Sequence, residues 1–118
     1  MANKDRVLKK LREISLKLPE ATEGLSWGHP TFKAGKRAFA VLDEYSGTLC
    51  IAFKSSPSAK EALLADPRFF RAPYVDSQGW VCLRADGELD WKEVSNFVLK
   101  SYRLVALKRM LSRLEDLS

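Results

Sequence analysis

Apolar and polar residues alternate along this chain in two periods, and the change of period marks out the elements. Val7, Leu8, Leu11, Ile14 and Leu18 recur at helical spacing, with Arg6, Lys9, Lys10, Glu13 and Lys17 on the other side. The spacing predicts a helix from Asn3 or Lys4, with Asp5 where a helix N-terminus favours an anion and Pro19 as the stop. Residues 19–24 read as an acidic turn. From Trp27 the period drops to two. A short strand ending at Lys33, a turn at Ala34-Gly35 and a returning strand to Leu42 make a predicted hairpin. After a turn over Asp43 to Gly47, the run Thr48 to Phe53 extends the same antiparallel sheet. Leu49, Ile51 and Phe53 share one face and Thr48, Cys50 and Ala52 the other, the pattern of a sheet with one face on a core and the second partly open.

The second half repeats the grammar. Ser55 to Ala65 predicts a short helix with two competing starts: Ser56 followed by Pro57, or Ser58 with Glu61 reaching back. Ala59, Ala62 and Leu63 are its expected inner side, and Asp66-Pro67 closes it. Residues 68–75 are too aromatic for a linker and are broken by Pro73, so they read as an irregular segment or short strand. Trp80 to Ala85 is a further strand between the turns at 76–79 and Asp86-Gly87. In the last helix Asp90 caps, Glu93 completes a capping box, and Leu89 faces Val94 as a hydrophobic staple. Val94, Phe97, Val98, Ser101, Leu104 and Val105 trace its expected buried side. Beyond Leu107 the apolar positions Leu111 and Leu114 drift round the axis, which fits an intramolecular groove or a dimer seam and leaves monomer and homodimer both open.

These elements make one α+β domain over residues 1–118: an antiparallel sheet with helices packed on one side. Such a chain buries roughly 65% of its extended surface and needs no staples. Cys50 and Cys82 sit inside strand-like runs far apart in sequence and read as buried small hydrophobes, neither a metal knuckle nor a redox pair. No apolar signal core opens the chain and no run approaches the roughly 20 apolar residues of a membrane span, so a cytoplasmic protein without a membrane partner is expected.

Twenty Lys and Arg against fifteen Asp and Glu give a formal charge of +5. The surplus sits in both terminal helices and suits a polyanion only if their exposed faces meet. Lys33, Lys36 and Arg37 bracket the Ala34-Gly35 turn, so the hairpin is expected to carry three cations at its tip beside Trp27 and His29. A tip alone makes too few phosphate contacts, so Arg71, Lys100 and Arg103 are expected to join a nucleic-acid surface. Arg68 and Arg71, interleaved with aromatics, could reach phosphate and a ring.

Catalytic signatures are missing. There is no GxSxG elbow, no Gly-rich phosphate loop and no Cys/His set with zinc spacing, so no catalytic residue, metal or cofactor is assigned. Asp43-Glu44 reads as a turn pair. His29, the one histidine, is held between Gly28 and Pro30 without an acid partner adjacent in sequence, and an enzyme would need a carboxylate within hydrogen-bond reach of it. The alternative to nucleic acid is a patch of Trp27, His29, Tyr74 and Trp80 that binds a small anionic ligand or a protein. A closed pocket near His29 would favour that alternative, and a continuous positive strip would favour nucleic acid.

The run Trp27-Gly28-His29-Pro30-Thr31-Phe32-Lys33, then Phe39-Ala40, Pro73-Tyr74, Gly79-Trp80-Val81, Asp90-Trp91-Glu93-Val94 and Ser101-Tyr102-Arg103-Leu104-Val105 resembles the bacterial MmcQ/YjbR family from about Val7 to Leu114. The resemblance implies a frataxin/CyaY-like fold of double-wing type and DNA association, with no catalytic set. Asp76-Ser77-Gln78-Gly79 stands where some members have a His- or Asn-rich loop. Frataxins handle iron through acidic helices, and the basic terminal helices here do not suit that role.

Overall fold

The computed structural model describes residues 2–72 and 78–117, with side chains from residue 4 onward. Helix α1 (Ala2–Ser15) leads into β1 (Ala21–Ser26), β2 (His29–Ala34), β3 (Arg37–Tyr45) and β4 (Thr48–Lys54). Then come α2 (Pro57–Leu64), β5 (Phe69–Arg71), β6 (Trp80–Arg84), α3 (Trp91–Val105) and α4 (Lys108–Asp116). All strand pairs are antiparallel, in the order β1-β2-β3-β4-β6-β5. Val7 and Leu11 of α1, Val94, Val98, Tyr102 and Val105 of α3, and Met110 of α4 join Phe32, Phe39, Leu42, Ile51, Phe53, Val81 and Leu83 in one core, so the helices cover one face of the sheet. Phe53 and Phe97 stack at 5.0 Å, and Phe69 meets both edge-on. As the alternation predicts, Cys50 and Ala52 point to the opposite face, where they pack with Trp80, Cys82 and Ala72.

Four boundaries differ from the sequence reading, each for a physical reason. The expected acidic turn at 19–24 contains most of β1, which pairs with β2 from Ala21↔Ala34 to Ser26↔His29. As an edge strand β1 buries little, so it carries no apolar alternation; Glu23, on its helical side, instead accepts two hydrogen bonds from Arg12 of α1, at 2.7 and 2.9 Å. Strand β3 runs on to Tyr45, and the turn shrinks to Ser46-Gly47, both at positive φ as a two-residue hairpin of the primed type requires. The β2–β3 turn lies one residue later than expected. Ala34 is the last, buried residue of β2, and Gly35 takes φ +63 where a Cβ would stand 3.1 Å from Met110 Cε.

The long final helix is two helices, because Ala106 and Leu107 take extended backbone angles. That break is the source of the drifting stripe beyond Leu107. Leu104, expected inside, is half exposed, while Tyr102 is fully buried, donates to the Pro19 carbonyl at 2.7 Å and meets Phe39 edge-on. Asp90 caps α3 through the N–H groups of Lys92 and Glu93, but Glu93 turns away from the capping box to pair with Arg68 at 2.7 Å. At α2 the Ser56-Pro57 start wins, with Ser56 accepting from the Ala59 N–H; Ala59 and Ala62 are exposed.

Ser101 joins α3 to the sheet. Between Phe32/Lys33 the β2–β3 register shifts, so Phe39 is an extra residue in β3. The buried Ser101 hydroxyl donates to the Phe39 carbonyl at 2.6 Å and accepts from the Lys54 N–H at 2.8 Å. Ser101→Ala leaves both backbone groups short of a partner, and the expected cost is about 2–3 kcal/mol. Urea unfolding checks this; Ser112→Ala, exposed on α4, serves as control and is expected to change stability by less than about 0.5 kcal/mol.

Glu20 accepts a two-pronged pair of hydrogen bonds from Arg109 of α4, both at 2.9 Å, and these bonds hold its carboxyl below the ordinary range. A depressed carboxyl contributes stability that is present above its unfolded pKa and is lost as pH falls through the folded one. The stability advantage of wild type over Glu20→Gln is therefore expected to shrink as pH is lowered from about 6 to about 3. An advantage that stays constant over that range would show that the pair contributes nothing.

Candidate functional site: the open sheet face

The face of the sheet away from the helices carries a cleft of about 620 Å³. Its floor is small, made by Ala38 and Val41 of β3 and Ala52 of β4. Around the floor stand Trp27, Tyr45 and Trp80, with Ser26, His29, Thr31, Lys33, Asp43 and Glu44 as polar lining. Most of these positions follow from strand parity. His29, Thr31 and Lys33 alternate on β2, and Val41, Asp43 and Tyr45 alternate on β3 with Thr31 opposite Val41. Two positions further along that ladder His29 faces Asp43, and Nε2 lies 3.2 Å from Oδ1. Asp43 Oδ1 also accepts from the Glu44 N–H at 2.7 Å, which holds the carboxylate in place. Thr31, buried, donates its hydroxyl to the His29 carbonyl at 2.9 Å.

Tyr45 completes the polar row. Burial, and then a hydrogen bond to Asp43, push its phenol well above the ordinary value, so it enters the cleft protonated at neutral pH. Its ring meets Phe70 edge-on at 6.3 Å. On the far wall Trp80 is 8% exposed, with the Lys54 ammonium 5.7 Å from its ring centroid. Cys50 and Cys82, distant in sequence, lie on the neighbouring strands β4 and β6, two positions apart in register, both buried and unbridged. A hydrogen bond donated to Cys82, with burial second, pushes the Cys50 thiol up, so it is a poor nucleophile at neutral pH.

At the mouth Trp27 is 97% exposed. It shares the two-residue β1–β2 turn with Gly28, at φ +54 and +82 respectively. That geometry suits Asn-Gly, and a bulky residue there costs about 1 kcal/mol. An aromatic ring held at a strained turn and left in solvent points to a use other than folding.

The residues singled out in the sequence fall into separate places. Lys33 reaches the cleft. Lys36 and Arg37 lie exposed at the β2–β3 turn, the opposite end of β2 from Trp27 and His29 and roughly 16 Å away at strand rise, so these two cations do not stand beside Trp27 and His29 as expected. Arg71 is on β5, three strands from β3 and hence about 14 Å across the sheet, beside Glu61 at 3.6 Å. Lys100 and Arg103 are on α3, in the helical layer. Arg68 is committed to Asp66 and Glu93. Tyr74 lies outside the described residues. Asp43 and Tyr45 were missed as site residues because Asp43-Glu44 read as a turn; Ser46-Gly47, itself a turn dipeptide, and the alternation Val41, Asp43, Tyr45 were the available signals.

Asp43 supplies the carboxylate that acid–base chemistry at His29 would need, and the pair can orient a ligand or hold a proton. Among the described residues no three His, Cys, Asp or Glu side chains converge as a metal site requires, and no helix is long and apolar enough to cross a membrane.

The architecture is that of a small α+β protein with one open sheet face. The YjbR family model matches residues 16–104, and the chain belongs to the YjbR family. Its fold is similar to that of the crystal structure of Deinococcus radiodurans protein DR2400, a DUF419 domain, with a TM-score of 0.73, 22% identity, and 92% of this chain and 87% of that chain covered. None of the curated proteins matches the chain.

The turn strain is directly measurable. Trp27→Asn is expected to raise stability by about 0.5–1 kcal/mol, seen as a higher urea midpoint with unchanged slope. A loss of stability would mean that the exposed ring contributes to folding after all.

Proposed function

We propose that this protein is a binding module whose open-face cleft takes a small planar anion. One observation carries the reading: a concave site of about 620 Å³ with a small apolar floor, aromatic walls and a few convergent polar groups. A ring lies over Ala38, Val41 and Ala52 between Trp80 and Trp27. Its anionic group meets Lys33, and its hydrogen-bonding edge meets the His29–Asp43 pair and the Tyr45 hydroxyl. The site is non-enzymatic in this reading, with His29 and Asp43 as recognition groups. Two free buried thiols suit a reducing cytoplasm.

Nucleic-acid association is the second reading. It is favoured by Lys36 and Arg37, exposed and without a carboxylate partner among the described residues, with Lys33 on the adjoining strand. Against it stands the dispersal of Arg71, Lys100 and Arg103 over other surfaces, since strong phosphate binding needs many cations on one track.

Tryptophan fluorescence titration with AMP, and with benzoate as a planar anion lacking phosphate, tests the first reading. The expected result is a Kd below about 1 mM for at least one of them, weakened about tenfold by Trp27→Asn and by His29→Gln. If neither probe quenches, the cleft reading fails. Duplex and single-stranded DNA, titrated by anisotropy over a salt series, decide the second: salt-dependent binding lost in Lys36→Gln/Arg37→Gln would establish it.

A further inference from the structure

The helical layer holds a second cavity, of about 430 Å³, between α2 and α3. Phe53, Phe97, Ala59, Ala62, Leu63 and Leu104 line it, and no carboxylate does. Its floor is the stacked pair Phe53 and Phe97, while Leu104 leaves half its surface in solvent along the wall. Helix α2 forms the other wall without burying a single residue, so the groove is an apolar trough that the fold itself does not fill. The Lys54 ammonium is not part of the groove, because it lies over Trp80 on the opposite side of the sheet.

Two cations stand at the rim. Lys100 and Arg103 are three residues apart on α3, hence on one side of the helix and about 4.5 Å apart along its axis, and both are exposed. Neither has a carboxylate partner among the described residues, in a protein where Arg12, Arg68 and Arg109 all have one. Apolar lining and unpaired rim cations complement an amphiphile with one negative head. The volume falls in the small-molecule range of about 300–1,000 Å³.

We propose that the α2–α3 groove is a second binding site, independent of the open-face cleft, for a single-headed apolar carboxylate of fatty-acid type: the hydrocarbon chain lies along Phe53, Phe97 and Leu104, and the carboxylate meets Lys100 and Arg103. The geometry uses two cations of α3 that lie outside the open-face site. Guanidinium and ammonium together can hold both oxygens of one carboxylate.

Amide NMR titration of the full chain with decanoate, and with decanol as the uncharged match, tests the site. Decanoate is expected to move amides of residues 57–64 and 97–104 and to bind about tenfold more tightly than decanol. Lys100→Gln/Arg103→Gln should bring decanoate down to the decanol level. Ala62→Trp, an exposed position on α2, should fill the trough and abolish both responses with the far-UV CD unchanged. Absence of shifts, shifts confined to β2 and β3, or undiminished decanoate affinity in the double variant would each overturn the assignment. The last two outcomes leave the AMP and benzoate result untouched, so the two sites stand or fall separately.

Discussion

The serine hydroxyl at position 101 fixes how the helical layer meets the sheet. It is buried, it closes the carbonyl that the β3 bulge leaves over, and it takes the N–H at the end of β4, so one side chain sets α3 against both strands. The bulge has a consequence on each face. The extra residue, Phe39, goes into the core against Tyr102, while Ala38 stays on the open face and forms part of the cleft floor. A β3 running through the same residues without the bulge would place Ala38 on the same side as Ala40, with the core, because side chains alternate strictly along an unbroken strand.

The sheet is thus asked to do two things at once. Strand β4 is buried from Leu49 to Phe53 on both sides, with Leu49, Ile51 and Phe53 under the helices and Cys50 and Ala52 under Trp80. Its neighbour β3 carries the recognition groups Asp43 and Tyr45 on one side and core residues on the other. Site residues mounted on paired strands keep their spacing far better than residues on loops. The mouth of the cleft is built differently, on a turn where Trp27 takes a backbone angle that favours another residue.

Charge tells a different story from composition. A surplus of +5 suggests a polyanion surface, yet many of the cations are spent locally: Arg12 on Glu23, Arg68 on Asp66 and Glu93, Arg109 on Glu20. Those pairs join helices to strands and connections, and as exposed pairs each stabilises modestly. The cations outside these pairs are spread over the molecule, from Lys9 and Lys10 of α1 to Lys36 and Arg37 at the β2–β3 turn and Lys100 and Arg103 on α3. Net charge governs solubility and long-range attraction; where a ligand binds depends on which cations lack a partner.

The sequence by itself determined most of the elements and the two-faced character of the sheet. The alternation from Leu49 to Phe53, the helical stripe of Val7, Leu11 and Ile14, the Asp90 cap and the Ser56-Pro57 start are local physics, decided within a few residues. It also singled out Trp27, His29 and Trp80, which do share one cleft. Tertiary structure alone decided the rest. Edge strand β1 has no apolar pattern because it buries little, and Ala106-Leu107 breaks a helix that its own residues would otherwise continue. The His29–Asp43 contact spans fourteen residues of chain and depends on where the β3 turn falls and on the register of β2 against β3. Partner choice across strands is set by registers and bulges that long-range packing selects, so no window of sequence contains it.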